Sequence, residues 1–179
     1  MTWDAVHHRG DVLRAVAETA DRRRDGILPT DVPGVVETFG DDPLTLVSAL
    51  QLRWHTRLAG GIGRALMDTD DLTGAVLTGW RAAAAAMPGV RMVLDAYAAD
   101  PTSAEMAEAL AKASAKDAVL LAAMAGRASV SSAAAVRVGR ELEQQARTAY
   151  DPTVPPRHRR EPDEPRSGLL GRLRAVLAA

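Results

Sequence analysis

The chain has 179 residues, a formal net charge of -1 and no cysteine. That length fits one domain with its own core, and the lack of thiols excludes disulfides, thiolate metal sites and a cysteine nucleophile. The balanced charge gives the chain as a whole no bias toward nucleic acid or anionic lipid.

Apolar residues recur at steps of three and four residues from Trp3 onward, which is typical of amphipathic helices. A first helix is predicted from Trp3 up to Gly26. A short element follows over 30–39, where Asp31 supplies an N-terminal signal and Gly40 a stop.

A long core helix is predicted to begin at Asp42, with Pro43 in the first helical position. Inside it Gly60, Gly61 and Gly63 each cost about 1 kcal/mol relative to alanine. Glycines at that cost indicate a kink or close packing against another helix.

The remaining helices are marked by boundary signals. In chain order these are Asp70 or Asp71, Pro88-Gly89, Asp100-Pro101, a capping box over Thr102 to Glu105 with Thr102 as the cap, Gly126 and Ser131-Ser132. No stretch alternates at period two, so no sheet is expected. The predicted fold is all-α, an antiparallel bundle of about five to six helices over residues 1–150.

The composition changes at Asp151 to a stretch rich in proline and charge, which predicts a disordered linker over 151–167. Helical periodicity returns over 168–179. The apolar face of this C-terminal segment consists of Leu169, Leu170, Leu173, Val176 and Leu177.

Three docking sites are open to such a segment: its own bundle, a groove of another protein, or a membrane surface. Its apolar face is short, so we expect weak lipid binding. We hypothesise a non-enzymatic interaction or scaffold protein whose tethered segment docks on a partner protein or on a second copy.

Four residues are candidate ligands for a metal ion, a haem or a small molecule: His7, His8, Asp11 and His55. His7 lies four residues before Asp11, and a carboxylate on one ring nitrogen fixes an imidazole tautomer. Such pairs are also typical of a solvated helix face. No Glu-x-x-His motif occurs, so a di-iron centre is not expected. We predict no catalytic residue and no cofactor, and keep a ligand-binding bundle as the alternative.

Asp117 falls close to an apolar stripe, which makes it a candidate buried acid, although a boundary position is favoured. Arginine runs at 22–24 and 157–160 provide a second alternative, a regulator that contacts nucleic acid. Acidic residues adjoin both runs, as on a solvated surface.

Three stretches, Thr2–Arg14, Gln51–Leu58 and Val136–Arg140, resemble a family of uncharacterised actinobacterial all-helical proteins. The resemblance implies an actinobacterial, cytoplasmic origin. It implies no activity, cofactor or site residue. The absence of a basic stretch followed by an apolar one at the N-terminus also predicts a cytoplasmic protein.

Overall fold

A computed structural model describes residues 3–148 and 150, and every regular element in that part of the chain is an α-helix. The helices are α1 (Trp3–Arg23), α2 (Val35–Phe39), α3 (Pro43–Leu66), α4 (Leu72–Ala86), α5 (Pro88–Ala99), α6 (Ala104–Met124) and α7 (Ala135–Thr148). The all-α prediction is confirmed. The linker predicted over 151–167 and the C-terminal segment predicted over 168–179 lie outside the described residues.

The described residues form seven helices, whereas the sequence predicted five or six. The element predicted over 30–39 contains the short helix α2. The backbone of Met87, with φ -141° and ψ 54°, separates α4 from α5. Pro88 has no N–H to continue α4, so a new helix begins at that residue.

The N-terminal caps of α3 and α4 follow the sequence. The carboxylate of Asp42 accepts a hydrogen bond from the N–H of Leu44 at 3.0 Å. Of the two aspartates before α4, Asp71 is the cap and accepts from the N–H of Gly74 at 3.0 Å. Each carboxylate satisfies one backbone N–H that has no partner inside its helix.

Two predicted caps are wrong. Asp31 makes no cap, because α2 begins only at Val35, and its carboxylate pairs with Arg23 instead. Ser103, not Thr102, caps α6, and its hydroxyl accepts from the N–H of Met106 at 3.1 Å.

Glycines lie where helices approach most closely. A Cβ atom on Gly61 of α3 would stand 2.8 Å from the carbonyl oxygen of Gly79 on α4. Nothing lies within 4 Å of the corresponding position on Gly63. The close packing predicted for the glycine run is therefore confirmed at Gly61 and not at Gly63. On α7, Gly139 lies directly against the backbone carbonyl of Ala118 on α6, which leaves no space for a side chain.

Large rings meet in the centre of the bundle. Trp54 of α3 and Trp80 of α4 are buried and pack edge to face, with ring centroids 5.8 Å apart. The ring of Tyr150 also packs edge to face with Trp80, at a centroid distance of 5.8 Å, and its hydroxyl donates to the carbonyl oxygen of Ala84 at 3.0 Å. The last described residue is thus anchored to the core by both packing and a hydrogen bond.

Candidate functional site

His55 is the predicted ligand residue that the structure places among other polar side chains. It lies on α3, and its Nδ1 is 2.6 Å from Oδ1 of Asp117 on α6. Gln51, one helical turn earlier, donates from Nε2 to the other carboxylate oxygen at 2.9 Å. Both oxygens of Asp117 therefore have partners on α3.

Asp117 is only 6 % exposed, so it is a buried acid and the boundary position favoured from the sequence is wrong. It follows Leu110 by seven residues and precedes Leu121 by four, which keeps it on the buried stripe of α6. Burial raises the pKa of Asp117 above its ordinary value, while the hydrogen bond and the charge of His55 oppose that shift.

The contact with Asp117 fixes the tautomer of His55. A carboxylate only accepts hydrogen bonds, so in the neutral imidazole the proton lies on Nδ1 and the lone pair on Nε2. No described residue forms a hydrogen bond with Nε2, and the side chain of His55 is 39 % exposed. The imidazole is therefore held in one orientation at the surface.

His55 lines a hollow of about 520 Å³ between α3 and α6, called here the second hollow. Its lining repeats one helical spacing on both helices: Ser48, Gln51, Leu52 and His55 from α3, and Ala109, Lys112, Ala113 and Lys116 from α6. Lys112 and Lys116 are the two lysines of the whole chain. Lys112 pairs with Glu108 at 2.6 Å, whereas Lys116 has no ion pair with a described residue.

A larger hollow of about 700 Å³ lies between α1 and α3 and is called here the first hollow. Apolar residues that include Leu13, Ala17 and Met87 form part of its lining. Three arginines of α3 and two acidic residues of α1 complete its charge pattern: Arg53, Arg57, Arg64, Glu18 and Asp21. Arg57 and Arg64 are exposed and form no ion pair with a described residue.

Leu52 lines both hollows and is 66 % exposed. We call Leu52, together with the linings of the two hollows, the α3 face. Asp21 in the first hollow is already engaged, because it accepts hydrogen bonds from the N–H groups of Gly89 and Val90 at 2.8 and 3.2 Å. The basic residues of the α3 face thus outnumber its acidic ones.

Asp117 also borders a cleft of about 180 Å³ that reaches Trp54 and Trp80. In this cleft Arg147 donates to both oxygens of Asp95, at 2.9 and 2.8 Å, and from Nε to Glu143 at 3.0 Å. Arg91 also donates to Asp95 at 2.8 Å, so two arginines face two carboxylates. Burial opposes the charge of Asp95, but the hydrogen bonds and charges of the two arginines outweigh it and hold the pKa of Asp95 below its ordinary value. These charges neutralise one another and join α5 to α7.

The other predicted ligand residues do not join His55. His7, His8 and Asp11 lie on α1, where Asp11 pairs with Arg14 at 3.0 Å and the ring of His8 lies against Gly34. Within residues 3–148 and 150, no three His, Asp or Glu side chains come together in a way that could hold a metal ion.

The predicted contact face of the C-terminal segment falls outside the described residues: Leu169, Leu170, Leu173, Val176 and Leu177. Among the helices that the structure describes, none combines the length and the apolar character needed to cross a bilayer.

Comparison of the chain with family models, with curated proteins and with solved structures found no match. The resemblance to an actinobacterial family therefore stays a prediction. The α3 face and the His55 cluster have to be interpreted from their own chemistry.

Sequence reasoning missed Gln51, Lys112 and Lys116 as site residues. A signal for the lysines was present, since this arginine-rich chain places its two lysines four residues apart and directly before Asp117. That spacing puts both ammonium groups on one side of a helix. Nothing local marks Gln51, whose role depends on the packing of α3 against α6.

Proposed function

We propose that this chain is a non-enzymatic helical interaction protein of the cytoplasm that binds a partner protein through the α3 face. The observation that carries the proposal is Leu52, a large apolar side chain exposed in the middle of a basic surface. Five basic side chains line the two hollows, against two acidic ones. Because the whole chain has a net charge of -1, this positive surface is a local feature.

The chemistry of the α3 face suits one amphipathic helix of the partner, with acidic residues beside its apolar side. If the partner helix lies along a hollow, its apolar residues, spaced three and four apart, form a stripe that can pack against Leu52. Acidic residues beside that stripe would reach Arg57, Arg64 and Lys116, which have no ion pair within the described part of the chain. Such pairs contribute mainly to the association rate and to specificity.

The C-terminal segment is proposed as a second docking element on the same partner, or on a second copy. Leu169, Leu173 and Val176 belong to its apolar face, while Arg172 and Arg174 disfavour binding to the basic α3 face. A linker over 151–167 would keep the segment near a partner that is already bound, which raises its effective concentration to about the millimolar range.

The experiment captures proteins from the native host on immobilised full-length protein and on variants. Leu52→Asp removes the apolar contact, and the double variant Arg57→Glu/Arg64→Glu reverses charge in the first hollow. Val130→Asp is the matched control, because Val130 is 71 % exposed and lies outside the linings of both hollows. We expect a partner that full-length protein and Val130→Asp retain equally, and that both α3-face variants lose.

The captured protein then supplies the probe. Its acidic amphipathic helix, made as a labelled peptide, should bind full-length protein with an affinity that falls as salt rises. Equal binding by Leu52→Asp and Val130→Asp would refute the α3 face. A truncation to residues 1–165 tests the C-terminal segment, and unchanged partner affinity in that truncation would remove its proposed role.

A further inference from the structure

His55 has the arrangement that makes an imidazole a nucleophile. Attack requires a lone pair on one ring nitrogen and a proton held on the other. The 2.6 Å contact between Nδ1 and Asp117 holds the proton, and Nε2 has no hydrogen-bond partner among the described residues. The buried carboxylate also stabilises the positive charge that develops on the ring during attack.

The second hollow suits a group with negative charge. Lys112 and Lys116 line it, and no acidic side chain of the described residues does. Lys112 is paired with Glu108, which is not part of the lining, so Lys116 supplies the positive charge that has no ion pair within the described residues. Lysine binds phosphate as a compact point charge. Ala109 and Ala113 have small side chains that leave space on the α6 side of the hollow, and its volume of about 520 Å³ exceeds the space that a phosphoryl group requires.

We propose that His55 is a phosphoryl acceptor. The lone pair on Nε2 attacks the phosphorus of an acyl phosphate, which forms an N–P bond while the bond from phosphorus to the acyl oxygen breaks. The electron pair of that bond leaves with the carboxylate product. The proton on Nδ1 stays hydrogen-bonded to Asp117, and the phosphoryl oxygens lie toward Lys116.

This inference goes beyond partner binding and needs no partner, because a small phosphoryl donor tests it on the purified chain. The probe is phosphoramidate, whose P–N bond breaks and whose nitrogen leaves as ammonia after taking a proton from water. Labelling is followed over time by intact mass at neutral pH and located by peptide mapping. His7 and His8 are exposed and serve as internal comparators.

We expect His55 to be labelled at least about tenfold faster than either comparator, since the buried Asp117 orients its ring and stabilises the charge that develops on it. His55→Asn keeps a donor for Asp117 but lacks the nucleophile, so it should lose the fast label and keep the slow ones. Asp117→Asn removes the charge behind the ring and should slow the reaction about tenfold or more.

Lys116→Gln should slow the labelling of His55 severalfold without affecting His7 or His8. Its control is Arg137→Gln, an exposed cation on α7 that pairs with Glu141. Equal labelling of His55, His7 and His8 would overturn the proposal, as would an unchanged rate in Lys116→Gln. The lysine variant keeps the test decisive even where Asp117→Asn fails to fold. Partner capture and labelling are separate measurements, so failure of one proposal is distinguishable from failure of the other.

Discussion

Replacing the glycines of α3 one at a time tests how closely α3 and α4 pack. Gly61 and Gly63 lie two residues apart in the same helix, and alanine is favoured over glycine by about 1 kcal/mol inside a helix. Only Gly61 is pressed against a neighbour, because its Cβ would stand 2.8 Å from the carbonyl oxygen of Gly79. Gly63 has open space at the same position.

The two substitutions should therefore differ in sign or clearly in size. In Gly61→Ala the distance between the new methyl group and the carbonyl oxygen of Gly79 must increase by at least about 0.6 Å to become an ordinary contact. That increase forces α4 away from α3. Overpacking of this kind costs about 1–3 kcal/mol, partly offset by the helix propensity of alanine. We expect Gly63→Ala to stabilise the protein by up to about 1 kcal/mol, and Gly61→Ala to be about 1–3 kcal/mol less stable than Gly63→Ala.

Urea unfolding, followed by the fluorescence of the buried Trp54 and Trp80, measures both free energies of unfolding. Gly60→Ala is a further control, because its nearest contact would be a flexible side-chain atom of Arg64 at 3.7 Å. Equal midpoints for Gly61→Ala and Gly63→Ala, at equal slopes, would refute the close packing of α3 on α4.

Substitutions at three further residues have defined outcomes. The pKa of Asp117 is raised in the native protein, so its carboxyl group binds a proton more tightly in the folded state than in the unfolded chain. The free energy of unfolding therefore falls as pH rises from near 3.8 through the pKa of the folded state. Asp117→Asn should lack that fall in urea midpoints measured across the acid range, and an identical pH profile would contradict this assignment. Asp21→Ala removes the acceptor for the N–H groups of Gly89 and Val90 and should cost about 1–2 kcal/mol. Asp21→Asn keeps an acceptor and should cost less, so equal losses in thermal unfolding would count against a stabilising role of these two hydrogen bonds. Tyr150→Phe keeps the ring on Trp80 but loses the donor to Ala84, and chemical denaturation should reveal a loss of about 0.5–1.5 kcal/mol rather than none.

The helices were predictable because their signals are local. Periodicity over four to six turns marks each long helix, and Asp42 followed by Pro43 leaves little choice of start for α3. The cap of α6 was not predictable to the residue, since Thr102 and Ser103 both carry a hydroxyl. The backbone chooses between them: Ser103 has the extended conformation of an N-cap, with φ -152° and ψ 164°.

The candidate site was predictable only in its parts. His55 and Asp117 each stood out from the sequence, one as a scarce histidine and the other as an acid beside an apolar stripe. Their contact joins residues 62 positions apart, and no local pattern reports which face of α6 meets α3. Leu52 was equally hidden, because its exposure depends on where α1 and α6 lie beside α3.

The glycine contacts of the fold also position the site. Asp117 directly precedes Ala118, whose carbonyl lies against Gly139 of α7, so the segment of α6 that carries the acid is fixed from that side by backbone packing. From the other side, Gln51 and His55 hold both carboxylate oxygens. Helix α6 therefore has little freedom to slide or rotate at this point. Its backbone contacts the backbone of α7 on one side, and two hydrogen bonds join it to α3 on the other. Because the backbone that carries Asp117 is already fixed, the carboxylate can orient the His55 ring at the surface with little further loss of conformational entropy. A reactive ring nitrogen at the surface requires such a fixed orientation.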